Sequence, residues 1–161
     1  MFENIMELNS EEKYRKYVEF LEELFRNDEM DLIFTTGWDK IMGLDCKRVL
    51  DYEMCDVMKT FKELLREKGV HPFEKVEDCE RNEYQYLIST ADYGLMETIK
   101  VLEDTLKEAL KKHGLSEDCL WYGLIFIIND PDMYDLTEEI ARDIEDEFYE
   151  REYDVTVKLE S

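Results

Sequence analysis

The chain has 161 residues, with 20 Lys plus Arg against 42 Asp plus Glu and a formal net charge of −22. A field of that sign repels nucleic-acid phosphates and anionic membrane surfaces and attracts cationic partners. The hydrophobic share of 44%, with ten Tyr and eight Phe, excludes a disordered acidic tail and allows a core that needs no structural metal or disulfide.

The first periodic segment covers residues 10–27. Tyr14, Tyr17, Val18, Leu21, Leu24 and Phe25 recur at the spacing of one helical face, and Asn9 with Glu12 forms a capping-box-like start. Residues 28–50 are less regular. Leu32, Ile33 and Phe34 suit a short strand, and Gly37 and Gly43 bracket a helical turn over 38–42. A second helix is predicted over 52–68 from the stripe Met54, Val57, Met58, Phe61, Leu64 and Leu65, with Asp51 as N-cap and Gly69 after its end.

Two strands follow, over 70–76 and 83–89, joined by a turn over 78–82; Pro72 makes the first one short or puts it at a sheet edge. A third helix over 92–113 carries Leu95, Ile99, Leu102, Leu106 and Leu110 on one face, with Ser89, Thr90 and Asp92 as candidate caps and Gly114 as its stop. The most apolar run, 120–128, reads as a buried central strand and is too short to span a bilayer. A last helix over 136–149 turns Leu136, Ile140, Ile144 and Phe148 inward, with Asp135 and Glu138 as its capping pair. Tyr153, Val155, Val157 and Leu159 then alternate with polar residues as in a half-exposed strand.

This order predicts one α+β domain over 1–161. It has a single mixed sheet, amphipathic helices on at least one face, and a last part running β-α-β-α-β with parallel neighbours. Cys46, Cys55, Cys79 and Cys119 stand singly, with no Cys-x-x-Cys pair, which predicts free thiols in a reducing, cytoplasmic setting. The N-terminus MFENIMELNSEEKY lacks the apolar run of a signal peptide.

Motifs of catalysis are missing from the sequence. There is no Gly-x-Ser-x-Gly elbow, no phosphate-binding glycine loop and no paired histidine motif; His71 and His113 read as surface or capping residues. The stretch Asp130-Pro131-Asp132-Met133-Tyr134-Asp135 begins like a calcium loop but has Tyr134 and Asp135 where a ligand and glycine belong. No catalytic residue, metal or cofactor is therefore assigned.

The informative feature is charge placement. Residues 130–161 hold thirteen acidic and three basic residues, a net of −10. With its apolar side inward, the last helix turns Glu138, Glu139, Asp143, Glu145, Asp146 and Glu150 outward, and Arg142 is the one cation among them. Like charges at i, i+4, as in Glu139 with Asp143 and Asp146 with Glu150, cost a few tenths of a kcal/mol per pair. Tyr134 and Tyr149 flank this set as interface-type aromatics.

The expectation is a non-enzymatic protein of the immunity or antitoxin kind. Its acidic face meets a basic protein such as a nuclease toxin or a DNA-binding protein, with no role for nucleic acid or membrane. Two alternatives are a scaffolding domain with an apolar interface on the last strand, and an enzyme whose site is assembled near the loop from Asp130 to Asp135.

Overall fold

A computed structural model describes residues 2–38, 51–117 and 120–160. In chain order the regular elements are α1 (Ser10–Arg26), β1 (Met30–Trp38), α2 (Asp51–Glu67), β2 (Val70–Asp78), β3 (Glu83–Thr90), α3 (Leu95–Lys112), β4 (Leu120–Asn129), α4 (Glu138–Glu150) and β5 (Val155–Glu160). The strands make one five-stranded mixed sheet in the order β2-β3-β1-β4-β5, so the fold is α+β. The run β1-α2-β2-β3-α3-β4 with that strand order matches a split β-α-β arrangement, and α4 and β5 extend it. The chain clusters into two compact units, Met1–Ile33 with Gly123–Ser161, and Phe34–Tyr122.

In the second unit, α2 buries the full predicted stripe from Met54 to Leu65. Phe61 lies 5.5 Å from Phe34 of β1 and 6.5 Å from Tyr86 of β3, ring centre to ring centre. β2 and β3 pair antiparallel from Val70↔Thr90 to Asp78↔Glu83, with a register shift between Glu74 and Val76. Residues three apart in a regular strand point to opposite faces; an extra residue restores one face. Glu74 and Glu77 thereby both reach the buried Lys62 of α2, at 2.6 and 2.9 Å.

Asp78 closes the hairpin by accepting from the amides of Glu80 and Arg81. α3 starts at Gly94 without a side-chain cap, unlike the expectation for Ser89, Thr90 or Asp92; Thr98 instead donates its hydroxyl back to the Gly94 carbonyl. Gly69 and Gly114 take left-handed φ values of 84° and 69° after α2 and α3, which an L side chain adopts poorly.

The short strand around Leu32 is a nine-residue strand that runs through Gly37 to Trp38. Gly37 is used for closeness, not for turning: a Cβ there would lie 2.5 Å from the Asn82 carbonyl and 2.7 Å from the Trp121 ring. The rest of the helical turn expected over 38–42 lies outside the described residues. Cys55 and Cys79 are not the free thiols expected. Cys55 of α2 and Cys79 of the β2–β3 turn form a disulfide, with Cα atoms 6.0 Å apart. Cys46 and Cys119 lie outside the described residues.

In the first unit, Asn9 caps α1 by accepting from the Glu12 amide at 2.9 Å, as predicted. Tyr17, Phe20, Leu21 and Leu24 are buried. β4 and β5 run parallel from Leu124↔Val155 to Asn129↔Glu160, the geometry expected of a β-α-β unit. α4 bridges them and packs Phe148 edge-on against Phe126 at 5.7 Å. Its N-cap is Thr137, whose hydroxyl accepts from the Ile140 amide, and not the expected pair Asp135 and Glu138. Asp135 instead closes a 3-10 turn, Pro131–Tyr134, in left-handed conformation. β4 does not neighbour β3, because β1 lies between them.

The disulfide links residues 24 apart in sequence. Closing a loop of that length lowers the entropy of the unfolded chain by an amount worth about 3 kcal/mol. Reduction, or Cys55→Ser, is therefore expected to lower the urea midpoint by a corresponding amount. An unchanged midpoint on reduction would contradict this.

Candidate protein-binding face

The acidic helix α4 is held against α1 by a compact ionic cluster. Lys13 of α1 lies 3.2 Å from Asp143 and 3.4 Å from Glu147. Tyr17 donates its hydroxyl to Asp143 at 2.6 Å. Glu147 also accepts from the Ser10 hydroxyl and pairs with Arg151 at 3.0 Å. The Arg151 guanidinium in turn lies over the Tyr14 ring, 4.0 Å from its centre. A charge buried this deeply is tolerated only when paired and hydrogen-bonded, and Glu147 is 5% exposed.

Burial pushes the Glu147 carboxyl up, but the Ser10 hydroxyl, Arg151 and Lys13 outweigh it and hold the group below the usual carboxylate range. Lys13 shows the mirror case. Burial pulls its ammonium down, and Asp143 and Glu147 more than restore it, so it ends above its ordinary value.

This cluster sorts the predicted acidic set. Asp143 points at Lys13 and Tyr17 and is half-buried. Glu145 is half-buried as well, and its carboxylate accepts from the Val157 amide at 2.8 Å. Both are consumed inside the unit. Glu138, Glu139, Asp146 and Glu150 are exposed.

Glu138 and Glu139 occupy the first turn, where the helix dipole favours anions. Asp146 and Glu150 sit toward the C-terminal end, where it disfavours them, and the last turn has no basic residue. Glu150 accepts only a 3.3 Å bond from Ser10. Among the described residues, no cation lies within ion-pairing distance of Glu138, Glu139, Asp146 or Glu150.

Tyr149, on the same stripe as Asp146 and Glu150, is 75% exposed, and Met133 of the preceding 3-10 turn is 76% exposed. Tyr134 is half-buried, and its hydroxyl donates to Glu29 of the same unit. Charge follows the division into units. The first holds 23 acidic and 7 basic residues, net −16, and the second 19 and 13, net −6.

The alternative sites gather less. The 130–135 loop folds into its 3-10 turn with Pro131 buried and with Asp130, Asp132 and Asp135 exposed. Among the described residues no group of three potential metal ligands occurs. His113 lies at the end of α3, bonded through Nε2 to the Thr60 hydroxyl, and His71 stands exposed on β2. β5 is an edge strand, but its outward side chains are Thr156, Lys158 and Glu160, so its exposed side is polar. No helix among the described residues is long and apolar enough to cross a membrane. No protein-family model, curated protein or solved structure matches the chain.

Sequence reasoning missed Glu147 and Lys13. A carboxylate at an inward position of α4, one turn from Arg151, was the one local signal of the cluster.

The two shifts set a pH window. A depressed carboxyl stabilises the fold above its unfolded value, and the effect is lost as pH falls through the folded value. A raised ammonium stabilises below its unfolded value, and the effect is lost as pH rises through the folded one. The cluster therefore contributes fully between about pH 5 and pH 10. Glu147→Gln is expected to cost about 2 kcal/mol at neutral pH. In urea titrations, its deficit against the parent protein should close as pH falls below the carboxylate range. A deficit constant from neutral to strongly acidic pH would contradict the assignment.

Proposed function

We propose that this protein is a non-enzymatic binding protein of the immunity or antitoxin kind, which neutralises a basic protein such as a nuclease toxin or a DNA-binding protein. The observation that carries this reading is the split in the acidic set of α4. Asp143, Glu145 and Glu147 serve the fold, whereas Glu138, Glu139, Asp146 and Glu150 face solvent without a neutralising cation among the described residues.

A helix presents these carboxylates on a fixed backbone array to Lys or Arg, and the net −16 of the surrounding unit speeds the encounter. Tyr149 supplies the aromatic anchor that such interfaces favour, with Met133 beside the entry to the helix as an adaptable apolar contact. Asp143 and Glu145, although on the acidic helix, then act as supports for the face and not as contacts. The cytoplasmic setting expected from free thiols loses that ground in the Cys55–Cys79 bond, because disulfides are rare where the thiol pool is reducing.

The test is capture from host extract at low ionic strength on immobilised protein, followed by elution at about 0.5 M salt, where the screening length is only a few ångströms. A basic protein should be retained and then released. Bait carrying Glu138→Lys, Glu139→Lys and Asp146→Lys should keep its circular dichroism spectrum and lose that protein. Equal retention by the reversed bait would overturn the proposal.

A further inference from the structure

A chain of 161 residues folds around its own apolar core without covalent help. The stripe of α2 from Met54 to Leu65 is buried whether or not its neighbouring sulfurs are joined. The Cys55–Cys79 bond instead ties the start of α2 to the tip of the β2–β3 hairpin. Both cysteines are half-buried, so a small thiolate in solution reaches the bond. Where the thiol pool is reducing, the disulfides that do form are usually transient, catalytic or redox-sensing.

Two anchors bound the segment that the bond controls. On the β2 side, Lys62 holds Glu77 at 2.9 Å. On the β3 side, Asn82 is buried, and its carbonyl packs so closely on Gly37 that a Cβ there would lie 2.5 Å away. Neither anchor uses the sulfurs. The tip between them, over 78–81, reaches α2 through Cys79. With the bond open, Asp78 and Glu80 beside Cys79 and Asp56 beside Cys55 are like charges that push the tip from the helix.

The two sulfurs are not equivalent. Cys55 Sγ lies 3.4 Å from the hydroxyl of Tyr84, a fully buried residue. A disulfide sulfur has no proton to give, so Tyr84 donates. A donor in that place stabilises Cys55 as a departing thiolate. We propose that Cys55–Cys79 is a reversible thiol–disulfide switch, opened by attack of a dithiol on Cys79, which releases the hairpin tip over 78–81 from α2. The attacking thiolate forms a mixed disulfide with Cys79, and Cys55 leaves as a thiolate and takes up a proton. The second thiolate of the reductant then displaces Cys79, which takes up the second proton. The reductant ends as a disulfide and the protein as two thiols, a transfer of two electrons. A small disulfide as oxidant reverses both steps.

The first test uses the parent protein under native conditions. Dithiothreitol should open the bond with the circular dichroism spectrum kept. Amide exchange read by NMR should then lose protection over 78–81, where Asp78 holds the amides of Glu80 and Arg81, and stay unchanged along the rest of β2 and β3. Cys79→Ser should show the same pattern without reductant. Removing the dithiol and adding cystamine should rejoin Cys55 to Cys79 and restore the protection. A bond that opens only on unfolding, a tip equally protected in both states, exchange that spreads through the hairpin, or a reclosed bond to Cys46 or Cys119 would overturn the proposal.

Cysteamine, a monothiol, followed by rapid alkylation and peptide mapping, reads the direction of attack. The cysteamine should sit on Cys79 and the alkyl group on Cys55. Tyr84→Phe should slow opening about tenfold, the worth of a hydrogen bond to a charged group. An adduct mainly on Cys55, or an unchanged rate in Tyr84→Phe, would also overturn it.

Discussion

The buried carboxylate of Glu147 is the constraint around which the first unit is organised. It sits on the inward side of α4, where an apolar residue would serve packing, and it is tolerated because Lys13, Arg151 and Ser10 surround it. Those partners come from the start of α1 and the end of α4, so satisfying one charge fixes where two helices meet. Asp143 joins through Lys13 and Tyr17. The inner carboxylates hold Lys13 and Arg151, and among the described residues the outer ones stand in no ion pair. In a chain with 42 acidic and 20 basic residues, the allocation of scarce cations decides which surface stays negative.

The second unit spends its cations differently. Lys62 is drawn nearly out of solvent between Glu74 and Glu77, which a bulge in β2 brings onto one face. Lys68 pairs with Glu108 and also donates to Thr105. With thirteen cations against nineteen acids, this unit keeps a modest net charge and leaves the first unit as the source of the long-range field.

Much of the architecture was legible in the sequence because it follows from periodicity. The stripes of α2 and α3, the alternation in β5 and the Asn9 cap need only local spacing to be read. Where reading went astray, a distant residue had changed the meaning of a local one. Gly37 looked like a turn residue, but Trp121, far along the chain, needs its missing Cβ. Cys55 and Cys79 looked isolated because most of α2 and all of β2 lie between them, 24 positions apart.

The candidate face was half legible for the same reason. A helical projection puts Asp143 and Glu145 outward with Glu139 and Asp146. It cannot reveal that Tyr17 reaches one of them and the Val157 amide the other. Thr137 and Asp135 are equally good caps by chemistry, and only the closing of the 3-10 turn decides between them.

The carboxylates of α4 divide their labour between fold and surface, and backbone NMR during titration with a lysine-rich peptide at low ionic strength reads that division residue by residue. Shifts should concentrate at Glu138, Glu139, Asp146, Tyr149 and Glu150, leave Asp143 and Glu145 nearly unmoved, and vanish on adding salt. Shifts spread evenly over the acidic residues of both units, or strongest at Asp143 and Glu145, would contradict it.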